Sequence, residues 1–219
     1  MRVADHILND FKALTLEEQV NDLLELMEEL KCNHLPILHE GKYLGLISED
    51  DLMDVENPED QLNAHLKVIK PYAIEADQHI YDAIRIFGEG DLSILPVVDA
   101  EGIYHGYIGP NELIWDLGQQ LGFVEAGSVI VLRVAIIDYH ISQIAQIVES
   151  EDALILGLQL RSDGPDFIKV AVKINQIDLS RIIKSFERFS YDIVEVYHKS
   201  LFDDTGRDRY DALMKYLNI

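Results

Sequence analysis

Apolar positions along this chain recur at two different spacings. In LEEQVNDLLELMEELK, residues 16–31, Val20, Leu23, Leu24, Met27 and Leu30 fall on a 3.6-residue period with carboxylates opposite, which predicts an amphipathic helix. The short apolar run HLPIL follows, then a glycine-bearing turn, then YLGLIS, which together predict a hairpin. Acidic residues come next and open a second, short helix. Ser48 is placed to cap it, with Asp51 at the third helical position completing a Ser-x-x-Asp box.

The same order returns sixty residues later. HIYDAIRIFGEG carries Ile80, Ala83, Ile84 and Phe87 on one helical face. Leu95-Pro96-Val97-Val98 matches Leu35-Pro36-Ile37-Leu38, and Gly106-Tyr107-Ile108 matches Gly45-Leu46-Ile47. The second hairpin is one residue longer, so the offset grows from 60 to 61. In the second copy Gly109 takes the cap position and Pro110 the first helical position, where its missing N–H costs nothing. Duplication of this kind organises a whole fold. Residues 1–60 and 61–122 therefore read as two repeats, each too small to bury a full core alone. The segment around 67–75 reads as an extended arm opening the second repeat, and Asn9 to Glu18 holds the same place before the first.

After residue 127 the pattern changes. SVIVLRVAII reads as a strand. HISQIAQIVESED reads as a helix, with Ile141, Ile144, Ala145 and Val148 on one face. ALILGLQLRS and FIKVAVKI are strands joined by the turn SDGPD. DLSRIIKSFERF is a helix with Asp178 as its cap, and YDIVEVYH is a final strand. The order β-α-β-β-α-β is the ferredoxin-like arrangement and occupies about residues 128–199. In the tail, 200–219, Tyr210, Leu213, Met214 and Leu217 stand at helical spacing.

Composition narrows the function classes. The chain has 219 residues, 40 acidic against 18 basic, a formal charge of -22. Such a surface repels phosphate backbones, which argues against nucleic-acid binding. The acidity is uneven: residues 1–60 carry 16 acidic and 4 basic groups, while 127–219 carry 14 and 11. That shift agrees with a domain boundary near Gly127. A lone cysteine, Cys32, forbids an internal disulfide and a cysteine-based metal centre, and fits a reducing, cytoplasmic setting. The amino-terminal residues lack the apolar stretch of a signal peptide, and no apolar run reaches the roughly 18 residues of a membrane span.

The duplicated helix–HLPIL–GKYLGLISEDDL unit resembles a CBS domain pair over roughly residues 1–120. The β-α-β-β-α-β segment resembles an ACT domain. The resemblance implies a tandem CBS (Bateman-type) module followed by an ACT-like domain, an α/β and α+β chain that forms homodimers. It also implies a regulatory protein, not an enzyme, that requires no cofactor. Its CBS cleft would bind AMP, ADP, ATP or S-adenosylmethionine. Carried onto this chain, the ligand-contacting segment Gly-h-h-Ser/Thr-x-x-Asp falls on Gly45, Ser48 and Asp51. The strand framing the base falls on His34, Leu35 and Pro36. The second copy departs from this pattern, with Gly109 at the Ser/Thr position and Glu112 at the Asp position. The ACT-like turn IIDYHIS lacks the glycine that lets backbone N–H groups approach a carboxylate, which favours dimerisation over amino-acid sensing.

The residues themselves allow two readings of Ser48 and Asp51. One is the capping box alone. The other is a nucleoside site, in which Asp51 accepts from vicinal ribose hydroxyls and the helix start faces a phosphate. Glu49 and Asp50 argue against a highly charged ligand unless Lys12, Lys42 or Lys70 folds in. His34 and His39, five residues apart on a strand, point to opposite faces, so no metal site is expected. Arg133 reads as a solvent-facing strand residue, with an interdomain anion contact as the alternative, and Trp115 as core or interface packing. No Ser-His-Asp order, nucleophile elbow, P-loop or dinucleotide fingerprint is present. Three functions remain: a sensor with a ligand in the first cleft and an unidentified protein partner; a ligand-free scaffold or dimerisation protein whose pockets are vestigial; and, last, an enzyme, which rests only on abundant carboxylates that a charged surface already explains.

Overall fold

A computed structural model of the chain describes residues 1–10 and 14–198. The tail helix expected over 200–219, and Lys12, lie outside the described residues. The chain divides into two compact units, residues 1–117 and 118–219.

In the first unit each repeat builds the same small layer. The first contains β1 (Leu14–Thr15), α1 (Val20–Leu30), β2 (His34–His39), β3 (Lys42–Ser48) and α2 (Glu49–Met53). The second contains β4 (Ile74–Glu75), α3 (Ile80–Glu89), β5 (Leu95–Val98), β6 (Tyr104–Ile108) and α4 (Pro110–Gly118). Each sheet has three strands, in the orders β1-β2-β3 and β4-β5-β6. The first strand of each is parallel to its neighbour and the hairpin is antiparallel. The hairpins pair in equivalent register, Leu35 opposite Ile47 and Leu95 opposite Ile108. The helical period of α1 buries Val20, Leu23 and Met27 against Leu35, Ile37 and Ile47. In the second repeat Ile80 and Ala83 meet Leu95, Val97 and Ile108.

Neither core is completed by its own repeat. Val3, from the opening segment of the first repeat, is fully buried in the core of the second. Its N–H donates to the carbonyl of Gln78 at 3.0 Å, and Ala4 N–H donates to Ala76 at 2.9 Å. Leu62, from the opening segment of the second repeat, is fully buried in the core of the first. Its N–H donates to Glu18 at 3.0 Å, and Asn63 N–H donates to Leu16 at 3.0 Å. The arms then run on in matching fashion. Leu8 exchanges two backbone hydrogen bonds with Tyr107 on β6, at 2.7 and 3.0 Å, and Lys70 exchanges two with Leu46 on β3, at 2.7 and 2.8 Å. The chain thus crosses over twice, each repeat closing the other. Two glycines permit these approaches. A Cβ on Gly45 would stand 2.4 Å from Ile69 Cγ2, and one on Gly106 would stand 2.3 Å from the Leu8 carbonyl oxygen. Leu46, Ile94 and Tyr107 bury a small apolar cluster where the repeats meet.

The second unit has a short helix, α5 (Leu121–Val124), then β7 (Ser128–Ala135), α6 (Ile141–Glu149), β8 (Ile155–Ser162), β9 (Phe167–Ile174), α7 (Ser180–Arg188) and β10 (Asp192–Tyr197). The sheet order is β10-β7-β9-β8, antiparallel throughout, the ferredoxin-like topology. Ile144, Ile147 and Val148 of α6 and Ile182 and Phe186 of α7 pack on Ile130, Leu132, Val170 and Val172. The Asp178 carboxylate accepts the Ser180 N–H at 2.9 Å and so serves the start of α7. Strand β7 is shorter than the apolar run that predicts it. Its ladder with β9 ends at Ala135 opposite Phe167. Ile136 and Ile137 turn away, 53% and 86% exposed. Arg133 is partly exposed, and the anion it meets is in its own unit: its Nε donates to the Asp163 carboxylate at 2.7 Å and its guanidinium lies 3.7 Å over the Phe167 ring.

Candidate functional site

A cavity of about 250 Å³ opens where the hairpin of the first repeat, the second arm and the end of α3 converge. Asn33, His34, Leu46 and Ser48 come from β2, β3 and the turn before β2. Glu49, Asp50 and Asp51 open α2. Lys70 and Tyr72 come from the arm, and Gly90, Asp91 and Leu92 from the segment before β5.

Strand alternation decides which predicted residues face it. In β2, Leu35 and Ile37 point into the first core, so His34 is left for the other face. Leu35 is fully buried and Pro36 is buried opposite Leu46; neither lines the cavity. Gly45 also stays behind the wall, pressed on Ile69 and Lys70. Of the six residues singled out from sequence, the structure brings His34, Ser48 and Asp51 to the cavity.

Ser48 caps α2 as expected, its Oγ accepting the Asp51 N–H at 3.2 Å. The reciprocal half of the box differs. The Asp51 carboxylate accepts the Ser48 hydroxyl at 2.6 Å and the Lys70 ammonium at 2.5 Å. Lys70, then Ser48, hold the Asp51 carboxyl below its usual value. Ion pairs at half-exposed groups contribute little to stability, so the interest of this one is positional. Of Lys42 and Lys70, the two of those lysines among the described residues, Lys70 lines the cavity. We expect Lys70→Met to raise the Asp51 pKa towards the ordinary carboxylate range, as read by NMR titration of its side-chain carbon. The sign follows from the depressed folded-state value: stability from the pair is present above the ordinary Asp pKa and lost as pH falls through the lowered one. An unchanged Asp51 titration would dismiss the pairing.

His34 is fixed across the repeats. Its Nδ1 accepts the Ser93 N–H at 3.2 Å and lies 3.1 Å from the Ser93 hydroxyl, which in turn accepts the Asn33 N–H at 3.1 Å. With Nδ1 an acceptor, Nε2 carries the proton in the neutral ring. Burial pushes the His34 pKa down. Sequence reasoning missed Ser93 and Asp91. The duplication held a signal for Ser93, since Asn33 and Ser93 occupy equivalent positions before their strands. Nearby, Tyr43 and Tyr104 stack at 6.2 Å between the hairpins, and Tyr43 donates to the Tyr72 carbonyl at 2.5 Å. Burial pushes the Tyr104 phenol up to about 12.

The equivalent hollow of the second repeat is built differently. A cavity of about 480 Å³ is lined by Asp5, His6, Ile7, Leu8, Asn111, Glu112 and Trp115. A Cβ on Gly109 would stand 2.6 Å from Glu112 Oε2, so the Glu112 carboxylate covers the space a cap hydroxyl would need. Ile94 stands where the first repeat has His34, and is buried with Leu46 and Tyr107. Leu8 occupies the place of Lys70 on the opposing arm. Trp115 is 67% exposed, so it is not a core residue.

Chemically, the first cavity gathers four carboxylate residues, a hydroxyl, an imidazole and an ammonium around a small hollow. Cys32 is buried, and burial pushes its thiol pKa up, which makes it a poor nucleophile. Among the described residues no helix is long and apolar enough to cross a membrane.

Comparison with known proteins places this geometry. The CBS domain model matches residues 3–57 and 66–117. An uncharacterised protein of Methanocaldococcus jannaschii is 26% identical over 114 residues, 52% of this chain. The chain spans 43% of that relative's length. Among solved structures, a CBS domain pair/ACT domain protein of Thermotoga maritima is 22% identical, with a TM-score of 0.48, covering 53% of this chain and 96% of that one. The structure of CBSX2 in complex with AMP is 24% identical, with a TM-score of 0.45, covering 54% of this chain and 96% of that one.

Proposed function

We infer, from the premise that residues 3–57 and 66–117 belong to the CBS domain family, that this protein is a non-enzymatic sensor that binds an adenosine-type ligand between its repeats. The observation that carries the reading is the convergence of His34, Ser48, Asp51 and Lys70 on one cavity. Asp51 supplies the acceptor that vicinal hydroxyls need, His34 a fixed N–H donor, and Lys70 a cation that moves between Asp51 and the ligand. Binding would act on the arrangement of the repeats, because the cavity wall is drawn from both of them and from the crossing arm. A ligand shifts such an equilibrium only by its unequal affinity for the two arrangements.

The β-α-β-β-α-β unit is, on this reading, an ACT-like domain that pairs two copies of the chain. Its support is the element order together with exposed apolar residues such as Ile137 before α6 and Ile141 at its start. The free, buried Cys32 suits a reducing, cytoplasmic setting.

The test is isothermal titration of the full chain with adenosine, AMP, ADP, ATP and S-adenosylmethionine. We expect saturable binding of at least one, weakened about tenfold or more in Asp51→Ala, the loss of a hydrogen bond to a charged group. Silence from all five would sink the reading. A second reading, a ligand-free scaffold, is favoured by one observation: Asp51 already has Lys70 and Ser48 as partners. It predicts a sedimentation coefficient indifferent to every one of these compounds.

A further inference from the structure

The structure points to charge as the selector at this cavity: we propose that it takes adenosine-type ligands with no net negative charge in preference to nucleotides. The inference rests on the reading of the cavity as an adenosine site and sharpens it. Among the described residues, Glu49, Asp50, Asp51 and Asp91 line the hollow against one lysine, Lys70. That ammonium already lies 2.5 Å from Asp51. His34 adds no positive charge, since its Nδ1 accepts the Ser93 N–H and burial pushes its pKa down.

The start of α2 gives a phosphate little more. Glu49 N–H donates to the Asn33 carbonyl at 2.9 Å, and Asp51 N–H to the Ser48 hydroxyl at 3.2 Å. An entering phosphate would therefore have to draw Lys70 off Asp51. It would then stand among four carboxylates with that one cation for company, and like charges at such range oppose binding. A ribose brings no like charge to those carboxylates. Its hydroxyls donate to Asp51 once Lys70 swings aside, and a cationic substituent finds Glu49, Asp50 or Asp91. The volume, about 250 Å³, sits below the usual range of small-molecule clefts.

The deciding experiment titrates the full chain at low and at physiological ionic strength with S-adenosylmethionine, adenosine, AMP and ATP. We expect S-adenosylmethionine and adenosine to bind about tenfold or more tightly than AMP, with ATP weaker still and the gap narrowing as salt is added. In the Glu49→Gln/Asp50→Asn double variant the gap between adenosine and AMP should shrink severalfold. AMP binding as tightly as adenosine in the parent would overturn charge selection and leave the adenosine site standing. A gap that persists undiminished in the double variant would also overturn it, because the carboxylates would not be its source. Failure of all four ligands to bind would remove the site itself, and the inference with it.

Discussion

Gly106→Ala should lower the stability of the 1–117 unit by about 4 kcal/mol, combining backbone strain with overpacking. Two costs act at one position. Gly106 holds φ at +133°, a conformation closed to side-chain-bearing residues, and its Cβ would stand 2.3 Å from the Leu8 carbonyl oxygen. That oxygen accepts the Tyr107 N–H. Backing it away breaks the pair of hydrogen bonds that seats the first arm. Gly45→Ala meets a milder obstacle. Its nearest contact, at 2.4 Å, is a side-chain methyl group of Ile69, the Lys70 carbonyl oxygen stands further off at 2.8 Å, and its φ is not positive. Urea unfolding followed by hydrogen exchange on β5 and β6 would rank the two. Equal, small losses from both would contradict the arm geometry.

Phe186→Ala should cost the second unit about 3–5 kcal/mol, the range for emptying a buried aromatic site. Phe186 is fully buried on α7 among residues of β7, β9 and α6, and meets Tyr191 edge-on at 5.4 Å. The hollow left behind is lined by aliphatic side chains from several rigid elements and collapses poorly. Tyr191 cannot simply swing in, because its hydroxyl donates to Gln143 at 2.9 Å. The expected readout is lost amide protection across β7 and β9 together with a lower unfolding midpoint. A loss under 1 kcal/mol, the scale of a surface substitution, would show that this core is not centred on α7.

Much of this was legible in the residues because it is local or periodic. The helical period of α1, the alternation of β2 and β3 and the repeated Leu-Pro and Gly-h-Ile fragments each carry their own geometry. They placed Ser48 and Asp51 on a capped helix beside a strand. The arms were not legible. An apolar residue such as Val3 announces that it will be buried, yet says nothing about whose core receives it. Lys70 was one of three lysines within plausible reach, and only the bridge between Leu46 and Lys70 picks it out. Trp115 misled for a different reason. Leu113 holds the buried face of α4, so Ile114 and Trp115, the next two residues, turn roughly 100° and 200° away from it and are 66% and 67% exposed. The apolar run through Ile137 outlasted β7 because a strand ends where its partner does.

The double crossing of the arms bears on ancestry. A solitary unit of this kind would present one empty slot and one unplaced segment of its own, and the two fit each other only between molecules. Two identical copies could therefore satisfy both needs by mutual exchange. Joining two such units end to end lets each carry its own residue at an equivalent position, as at His34 and Ile94.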